Sequence, residues 1–310
     1  MAEYVLEVNN LKKQFGDFTA VNGISFAVKR GEVVGFLGPN GAGKTTTIQM
    51  LMGLTIPSSG SISYFGKNFI DNATAALQRI NTTSAYGSLQ GYITVQENLR
   101  VFGHLYSVKN LEKKIVTLIE QLEIGHLGKK LYHNLSAGQK TRVNLAKSLL
   151  NDPEILLMDE PTASLDPDIT DKFLSLIETL QRDRKISILY TSHDMDEITR
   201  ICQRVIFLDR GKIVAEDTPL GLTKRIKHST LKITFDAEQK KVKQYLEEKS
   251  IVGEFPNRQT LLVDVEETMI PKVIFGLSRR EIWITDIEIK KPSLEDVFLE
   301  ISRGGNHVRS

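Results

Sequence analysis

The sequence predicts an α/β fold built round strands that are buried on both faces. Three observations carry this. Glu32-Val33-Val34-Gly35-Phe36-Leu37, Ile155-Leu156-Leu157-Met158 and Ile186-Ser187-Ile188-Leu189-Tyr190 are short, nearly continuous apolar runs, the pattern of a strand covered on each side. Helical patterns lie between them. A Gly-rich turn follows the first run and opens a helix near Lys44.

The other elements follow in order. Tyr4-Val5-Leu6-Glu7-Val8 and Gly23-Ile24-Ser25-Phe26-Ala27-Val28 alternate and read as antiparallel strands. Residues 75–150 read as mostly helical. Thr94 with Glu97, and Ser136 with Gln139, have the spacing of capping boxes. The second leads into a helix with Val143, Ala146, Leu149 and Leu150 on one side. Val205-Ile206-Phe207-Leu208 followed by Asp209-Arg210-Gly211-Lys212 reads as a hairpin that closes the domain. The character changes near 219–229. Beyond it Leu231, Ile233 and Phe235 alternate, as do Leu261, Val263 and Val265, and then Trp283, Thr285, Ile287 and Ile289. Helical patterns separate them, one starting at Pro271. This part reads as a small α+β appendage.

Composition excludes several classes. In 310 residues, Lys plus Arg is 40 and Asp plus Glu is 38. A net charge of +2 gives no global field for nucleic acid or anionic lipid. The single cysteine, Cys202, leaves no internal disulfide and suits a reducing compartment. No stretch approaches the roughly 20 apolar residues needed to cross a bilayer. The first residues lack the apolar core of a signal peptide, so the expectation is a soluble chain that a partner brings to any membrane. The histidines show no zinc-ligand spacing, and aromatic residues do not interleave with basic patches as on a nucleic-acid platform.

Gly38-Pro39-Asn40-Gly41-Ala42-Gly43-Lys44-Thr45 fits the phosphate-loop pattern of Gly, any four residues, then Gly, Lys and Ser or Thr. Glycines let backbone N–H groups curl round phosphates, and the helix that follows points its positive end at the same anion. Gly38 to Thr45, with Thr46 behind, are therefore nucleotide-binding candidates. Lys44 is expected to pair with the β- and γ-phosphates, and the Thr45 hydroxyl to ligate Mg²⁺. Ile155-Leu156-Leu157-Met158-Asp159-Glu160 is an apolar strand ending in two carboxylates. Ligands of open α/β sheets sit at such strand ends. Asp159 is expected to bind Mg²⁺, directly or through water. Glu160 is expected to orient or deprotonate the attacking water. A strand that simply runs into a polar turn is the alternative.

Leu135-Ser136-Ala137-Gly138-Gln139 can be read as a helix cap alone. It also resembles the signature of ATP-binding cassette (ABC) proteins, usually LSGGQ, and lies shortly before LLMDEP as in that family. Ala137 replaces the usual glycine. The resemblance implies that this helix end faces the γ-phosphate of ATP on an opposite subunit, with Ser136 and Gly138 completing the shell. Ala163-Ser164-Leu165-Asp166 resembles the loop that crosses the dimer interface. His193, in Tyr190-Thr191-Ser192-His193-Asp194, resembles the switch histidine that contacts the γ-phosphate. Phe15 resembles the aromatic that stacks on adenine, a core aromatic being the alternative.

The family usually carries a Pro-Gln pair before Glu97-Asn98-Leu99, and its glutamine touches Mg²⁺ and the lytic water. Here Ser84-Ala85 stands in that place, and Gln90 lies five residues later. The expectation is a chain that still hydrolyses ATP, because Glu160 and His193 remain. Pro292-Ser293-Leu294-Glu295-Asp296-Val297-Phe298-Leu299 resembles the ending of cassettes paired with ABC-2-type exporter permeases (multidrug, sodium and nodulation-factor-like). It can equally be an amphipathic helix with Leu294, Val297 and Phe298 inward.

The resemblance implies an α/β P-loop NTPase: an ABC nucleotide-binding domain at 1–225 with an antiparallel β subdomain and a helical subdomain at about 75–150. A C-terminal α+β accessory domain spans 226–310. It implies ATP and Mg²⁺ and a head-to-tail pair with a second copy or a paralogous cassette. It also implies a separate ABC-2-type transmembrane permease, a place on the cytoplasmic face of the membrane, and no nucleic-acid partner. An importer subunit is the runner-up. A soluble non-transport ABC ATPase comes next, and a DNA-repair ATPase is disfavoured because no long coiled coil separates the P-loop from the signature.

Overall fold

The computed structural model describes residues 3–84, 89–226 and 228–302. The chain divides into two units, Met1–Pro219 and Leu220–Ser310.

The first unit opens with β1 (Tyr4–Phe15) and β2 (Phe18–Lys29), long antiparallel partners, and β3 (Val33–Leu37). Then come α1 (Lys44–Leu51), β4 (Ser59–Tyr64), β5 (Lys67–Asn68), α2 (Ala73–Leu77) and β6 (Ile80–Ser84). Three helices follow: α3 (Val95–Leu105), α4 (Leu111–Gln121) and α5 (Ala137–Ser148). The unit continues with β7 (Ile155–Asp159), α6 (Pro167–Arg184), β8 (Ser187–Thr191), α7 (Met195–Ile201), β9 (Arg204–Asp209) and β10 (Lys212–Asp217).

Two sheets result. One is antiparallel, in the order β2-β1-β4-β5. The other runs β10-β9-β3-β8-β7-β6, parallel except for the β9–β10 hairpin. Every residue of β3 and β8 is buried, which is why both read as unbroken apolar runs. Ile48, Met50 and Leu51 of α1 join a core that includes Leu6 and Val8 of the antiparallel sheet and Leu157 and Leu189 of the parallel one. That packing fixes α1, and with it the loop before it. Both expected capping boxes form, at Thr94–Glu97 on α3 and Ser136–Gln139 on α5.

β6 corrects the helical reading of 75–150. It pairs in parallel with β7, Ile80 beside Ile155 and Ser84 beside Asp159. Its sequence, INTTS, shows neither an apolar run nor an apolar alternation, because polar side chains find bonds there. Asn81 Nδ2 donates to Asn151, Thr82 Oγ1 donates to the Leu157 carbonyl, and Lys147 Nζ donates to Asn81 Oδ1 and the Thr82 carbonyl.

The second unit contains α8 (Pro219–Thr223, which starts one residue before the division), β11 (His228–Asp236), α9 (Gln239–Glu248), β12 (Gly253–Asn257) and β13 (Thr260–Glu266). It ends with α10 (Ile270–Ser278), β14 (Trp283–Lys290) and α11 (Leu294–Ser302). From β11 to β14 this is a β-α-β-β-α-β unit with an antiparallel sheet in the order β12-β13-β11-β14, a ferredoxin-like split arrangement. Leu231, Ile233, Phe235, Leu261, Val263 and Val265 form its core with Val242 and Leu246 of α9 and Val273 and Leu277 of α10. Ile287 and Ile289 pair with Ile233 and Leu231 but stay exposed, because β14 is an edge strand. In α11, Leu294 and Val297 are buried and Phe298 is half-buried. No described helix is long and apolar enough to cross a membrane.

Candidate functional site

The site lies where β3, β7 and β8 end. β8 sits between the other two in the sheet, so the three following loops meet along one edge. Ligands of open α/β sheets bind at such carboxyl ends.

After β3 the chain turns through Gly38–Gly43 into α1. Gly43 has φ +103°, and a Cβ there would stand 2.5 Å from the Ala20 carbonyl oxygen. Gly38 has a similar constraint, with 2.3 Å to the Leu208 carbonyl oxygen. Only glycine fits at either place. Lys44 is buried, and its Nζ donates to the Gly38 and Pro39 carbonyls at 2.5 and 3.3 Å, which draws the ammonium across the loop. Burial lowers its pKa, while the charges of Glu160 and Asp159 pull it back up. The P-loop lysine and the carboxylate pair therefore share one electrostatic site. Thr45 is exposed and Thr46 half-buried at the start of α1, the helix end that favours anions.

After β7, Asp159 and Glu160 are both half-buried. Glu160 takes a left-handed backbone, φ +48°, which costs a non-glycine residue on the order of 1 kcal/mol or more. Its N–H donates to the Thr191 carbonyl at 3.2 Å and to Thr191 Oγ1 at 3.0 Å. The same hydroxyl donates to Asp159 Oδ1 at 2.8 Å. Thr191 is fully buried and pairs with Asp159 across the sheet. It thus sets the backbone of one carboxylate residue and the side chain of the other. Sequence reasoning missed it, although its place at the end of an apolar strand, two residues before His193, is a usable signal.

After β8, His193 Nε2 lies 2.6 Å from Glu160 Oε1. The histidine side chain is 49% exposed and the glutamate side chain 18% exposed, so the histidine covers a largely buried carboxylate whose own backbone is tied to Thr191.

The signature segment stands elsewhere. Ser136 caps α5, its Oγ accepting from the Gln139 N–H at 3.4 Å, while Gln139 Oε1 accepts from the Ser136 N–H at 3.2 Å. Ser136, Gly138 and Gln139 line one cavity with Ser164, Asp166 and Ile169, and no P-loop residue lines it. Gly138 leaves no room there: a Cβ would meet Ile169 Cγ2 at 2.7 Å. Within one chain the structure thus gathers Lys44, Asp159, Glu160 and His193, and groups Ser136, Gly138 and Asp166 apart from them.

The profile of the ABC transporter family matches residues 21–163. Over nearly its whole length the chain is similar to the Nod factor export ATP-binding protein I of Rhizobium sp. (strain N33). The two are 34% identical over 308 residues, 97% of this chain and 98% of that one. The chain belongs to the ABC transporter family. It is also 30% identical over 306 residues to the linearmycin resistance ATP-binding protein LnrL of Bacillus subtilis (strain 168), covering 96% and 98% of the two chains. Among solved structures, cbiO1 of Clostridium perfringens, part of the ABC transporter complex cbiONQ, superposes with a TM-score of 0.66 at 30% identity. The match covers 72% of this chain and 92% of that one.

As an ABC ATPase the chain binds and hydrolyses ATP. Phe15 ends β1, half exposed, with Lys13 Nζ 4.8 Å from its ring centre. A flat exposed ring on a strand end can take a stacked base. Asp166 is exposed and precedes α6, whose first helical residue is Pro167. The chemistry of the donors also suits Mg²⁺. Thr45, in the first turn of α1, and Asp159, at the end of β7, offer hard oxygens, and this ion is usually held by one or two protein ligands plus substrate phosphates. Ala85 lies outside the described residues. Gln90 is described: its N–H donates to Asn98 Oδ1, and its carbonyl accepts from Asn98 Nδ2.

Proposed function

We propose that this ABC ATPase powers export through a separate ABC-2-type permease at the cytoplasmic face of the membrane, working as a head-to-tail pair of cassettes. The observation that carries the catalytic part is the Glu160–His193 contact beside Lys44. Phosphoryl transfer to water needs mostly positioning and neutralised charge. Gly38 to Thr46 hold the phosphates, and Lys44 offsets their charge. Thr45 and Asp159 would hold Mg²⁺, which would supply positive charge to offset that developing on the phosphates. Phe15 takes the adenine. Glu160 orients the attacking water and draws its proton. His193 holds Glu160 in place and reaches the γ-phosphate.

Pairing is supported by the separation of the two half-sites. Ser136 and Gly138 present a helix N-terminus beside Asp166, away from the chain's own P-loop, so a second chain must bring them to the nucleotide. The export and resistance names of the relatives support export, and the Pro292–Leu299 ending supports an ABC-2-type partner. Residues 1–225 then form the motor and 226–310 an accessory domain, in line with the division of the chain at Pro219.

Glu160→Gln tests the site. The variant should bind ATP, hydrolyse it at least about 10²-fold more slowly, and run as a dimer in size-exclusion chromatography with ATP. A variant that stays monomeric with ATP counts against this mechanism. The neighbouring open reading frame tests the partner: about six apolar spans of membrane-crossing length are expected.

A further inference from the structure

The water-handling pair is reached by two loops, and one buried carboxylate joins them. Glu197 lies in the first turn of α7 and is 5% exposed. Its Oε2 accepts three hydroxyl bonds: from Thr162 Oγ1 at 2.9 Å, Tyr190 OH at 2.9 Å and Ser192 Oγ at 2.7 Å. Thr162 is two residues beyond Glu160, in the loop that leads to Asp166. Ser192 directly precedes His193.

We propose that Glu197 is a positioning residue that ties the loop after Glu160 to the loop carrying His193, and so sets the geometry of the pair. A buried carboxylate must be compensated, and here hydroxyl groups do it. The neighbouring Arg200 is engaged elsewhere, with Glu178 and Asp171. Burial and the Glu197 charge keep the Tyr190 hydroxyl protonated, hence a donor. The helix turn is itself fixed. Asp194 Oδ1 accepts from the Asp196 and Glu197 N–H groups, and the Asp194 N–H donates to Ser192 Oγ. Because one oxygen takes all three bonds, a loop that moves either loses its own bond or draws along the carboxylate on which the other loop depends. A nucleotide-driven shift at His193 is thereby passed to Thr162 and on toward Asp166.

This inference rests on the catalytic roles proposed for Glu160 and His193. Its test is ATP turnover by the full chain in four variants: Glu197→Gln, His193→Ala, Glu160→Gln, and Glu197→Gln combined with His193→Ala. Glu197→Gln should lower kcat about tenfold, with KM for ATP within about twofold of the parent. In the His193→Ala background it should have almost no further effect, because it acts through the pair. An unchanged kcat overturns the inference, as does an equal loss in both backgrounds or a loss confined to KM. If His193→Ala and Glu160→Gln retain full turnover, the catalytic reading fails instead. Should Glu197→Gln not fold, Ser192→Ala and Thr162→Val each remove one donor. Each should then lower kcat, and the pair by less than the product. Full kcat in both, or strictly multiplicative losses, overturns the inference.

Discussion

His193 Nε2 is 2.6 Å from Glu160 Oε1, although the two residues come from different loops. β7 and β8 are hydrogen-bonded neighbours, Asp159 beside Thr191, so the residues just past them emerge side by side. The contact makes a specific expectation. His193→Ala should lower kcat by about 10²-fold or more and leave ATP affinity within a few-fold, since Lys44 and the P-loop backbone are untouched. Steady-state hydrolysis together with equilibrium binding of a fluorescent ATP analogue would separate the two. A variant with full kcat, or one whose loss lies wholly in binding, contradicts the assignment.

Thr191 supports a second prediction. Thr191→Val keeps shape, burial and β-branching, and removes only the hydroxyl that donates to Asp159 and accepts from Glu160. Leaving a buried group unpaired typically costs about 1–3 kcal/mol. The expected outcome is a drop in kcat of about tenfold and a higher Mg²⁺ concentration for half-maximal nucleotide binding, with Thr191→Ser restoring both. A wild-type Mg²⁺ titration in Thr191→Val would show that the hydroxyl does not set Asp159.

Much of the motor was legible because its signals are local. Val33–Leu37 is apolar since it is buried on both faces. Gly38 and Gly43 cannot be anything else where the backbone touches Leu208 and Ala20. The capping boxes at Thr94 and Ser136 need only residues three apart. What escaped depends on partners distant in sequence. Ile80–Ser84 is a strand whose polar residues are satisfied by Asn151, Lys147 and the β7 backbone, so no periodicity betrays it. Thr191 and Glu197 act through bonds that cross between β7, β8 and α7, and each looks ordinary in isolation. Ile287 and Ile289 alternate like core residues, yet they lie on an edge strand that covers only one side.

Glu32 and Arg204 give a prediction on acid stability. Arg204 Nε and Nη2 donate to Glu32 Oε1 and Oε2 at 2.8 and 2.9 Å, a two-pronged pair joining the start of β3 to the start of β9. Burial works against the carboxylate charge, but the Arg204 bonds and charge outweigh it and hold Glu32 below its ordinary value of 4.5. A depressed carboxylate favours the folded state above its unfolded value. That contribution is lost as pH falls through the lower, folded value. The gap in melting temperature between the parent chain and Glu32→Gln should therefore be largest above pH 5 and shrink below about pH 4. A gap independent of pH would mean that the pair contributes through packing alone.

Lys147 titrates in the opposite direction. Burial beside β6 pushes its ammonium down to about 8 from an ordinary 10.5. Between those values the unfolded chain binds a proton that the folded chain has released, so this residue's contribution to stability rises with pH across the window. Below pH 8 its cost is fully present. Lys147→Met keeps an unbranched side chain of nearly the same length without the charge. Its stability relative to the parent should be greatest at pH 7 and decline toward pH 10. Denaturant midpoints of the two proteins at several pH values would show this, and a constant difference would refute it.

Gly138 and Ile169 join the signature helix to the helix that follows Asp166. A methyl group at 138 would stand 2.7 Å from Ile169 Cγ2, nearer than two carbons can approach without displacement. Both residues line the cavity shared by Ser136 and Asp166. Gly138→Ala must therefore shift one helix against the other, or turn Ile169 out of its place. ATP binding to the single chain should survive, because the P-loop is elsewhere. Hydrolysis should fall by at least about tenfold, since the shift acts on the two segments assigned to the proposed pairing; overpacking of this kind commonly costs about 1–3 kcal/mol. Ile169→Ala removes the colliding methyl groups. If the collision is the cause, the double variant should recover most of the lost hydrolysis. If the glycine is needed only for close approach of nucleotide, Ile169→Ala will recover none of it. Comparing hydrolysis rates and ATP-dependent dimerisation of the three variants decides between the two.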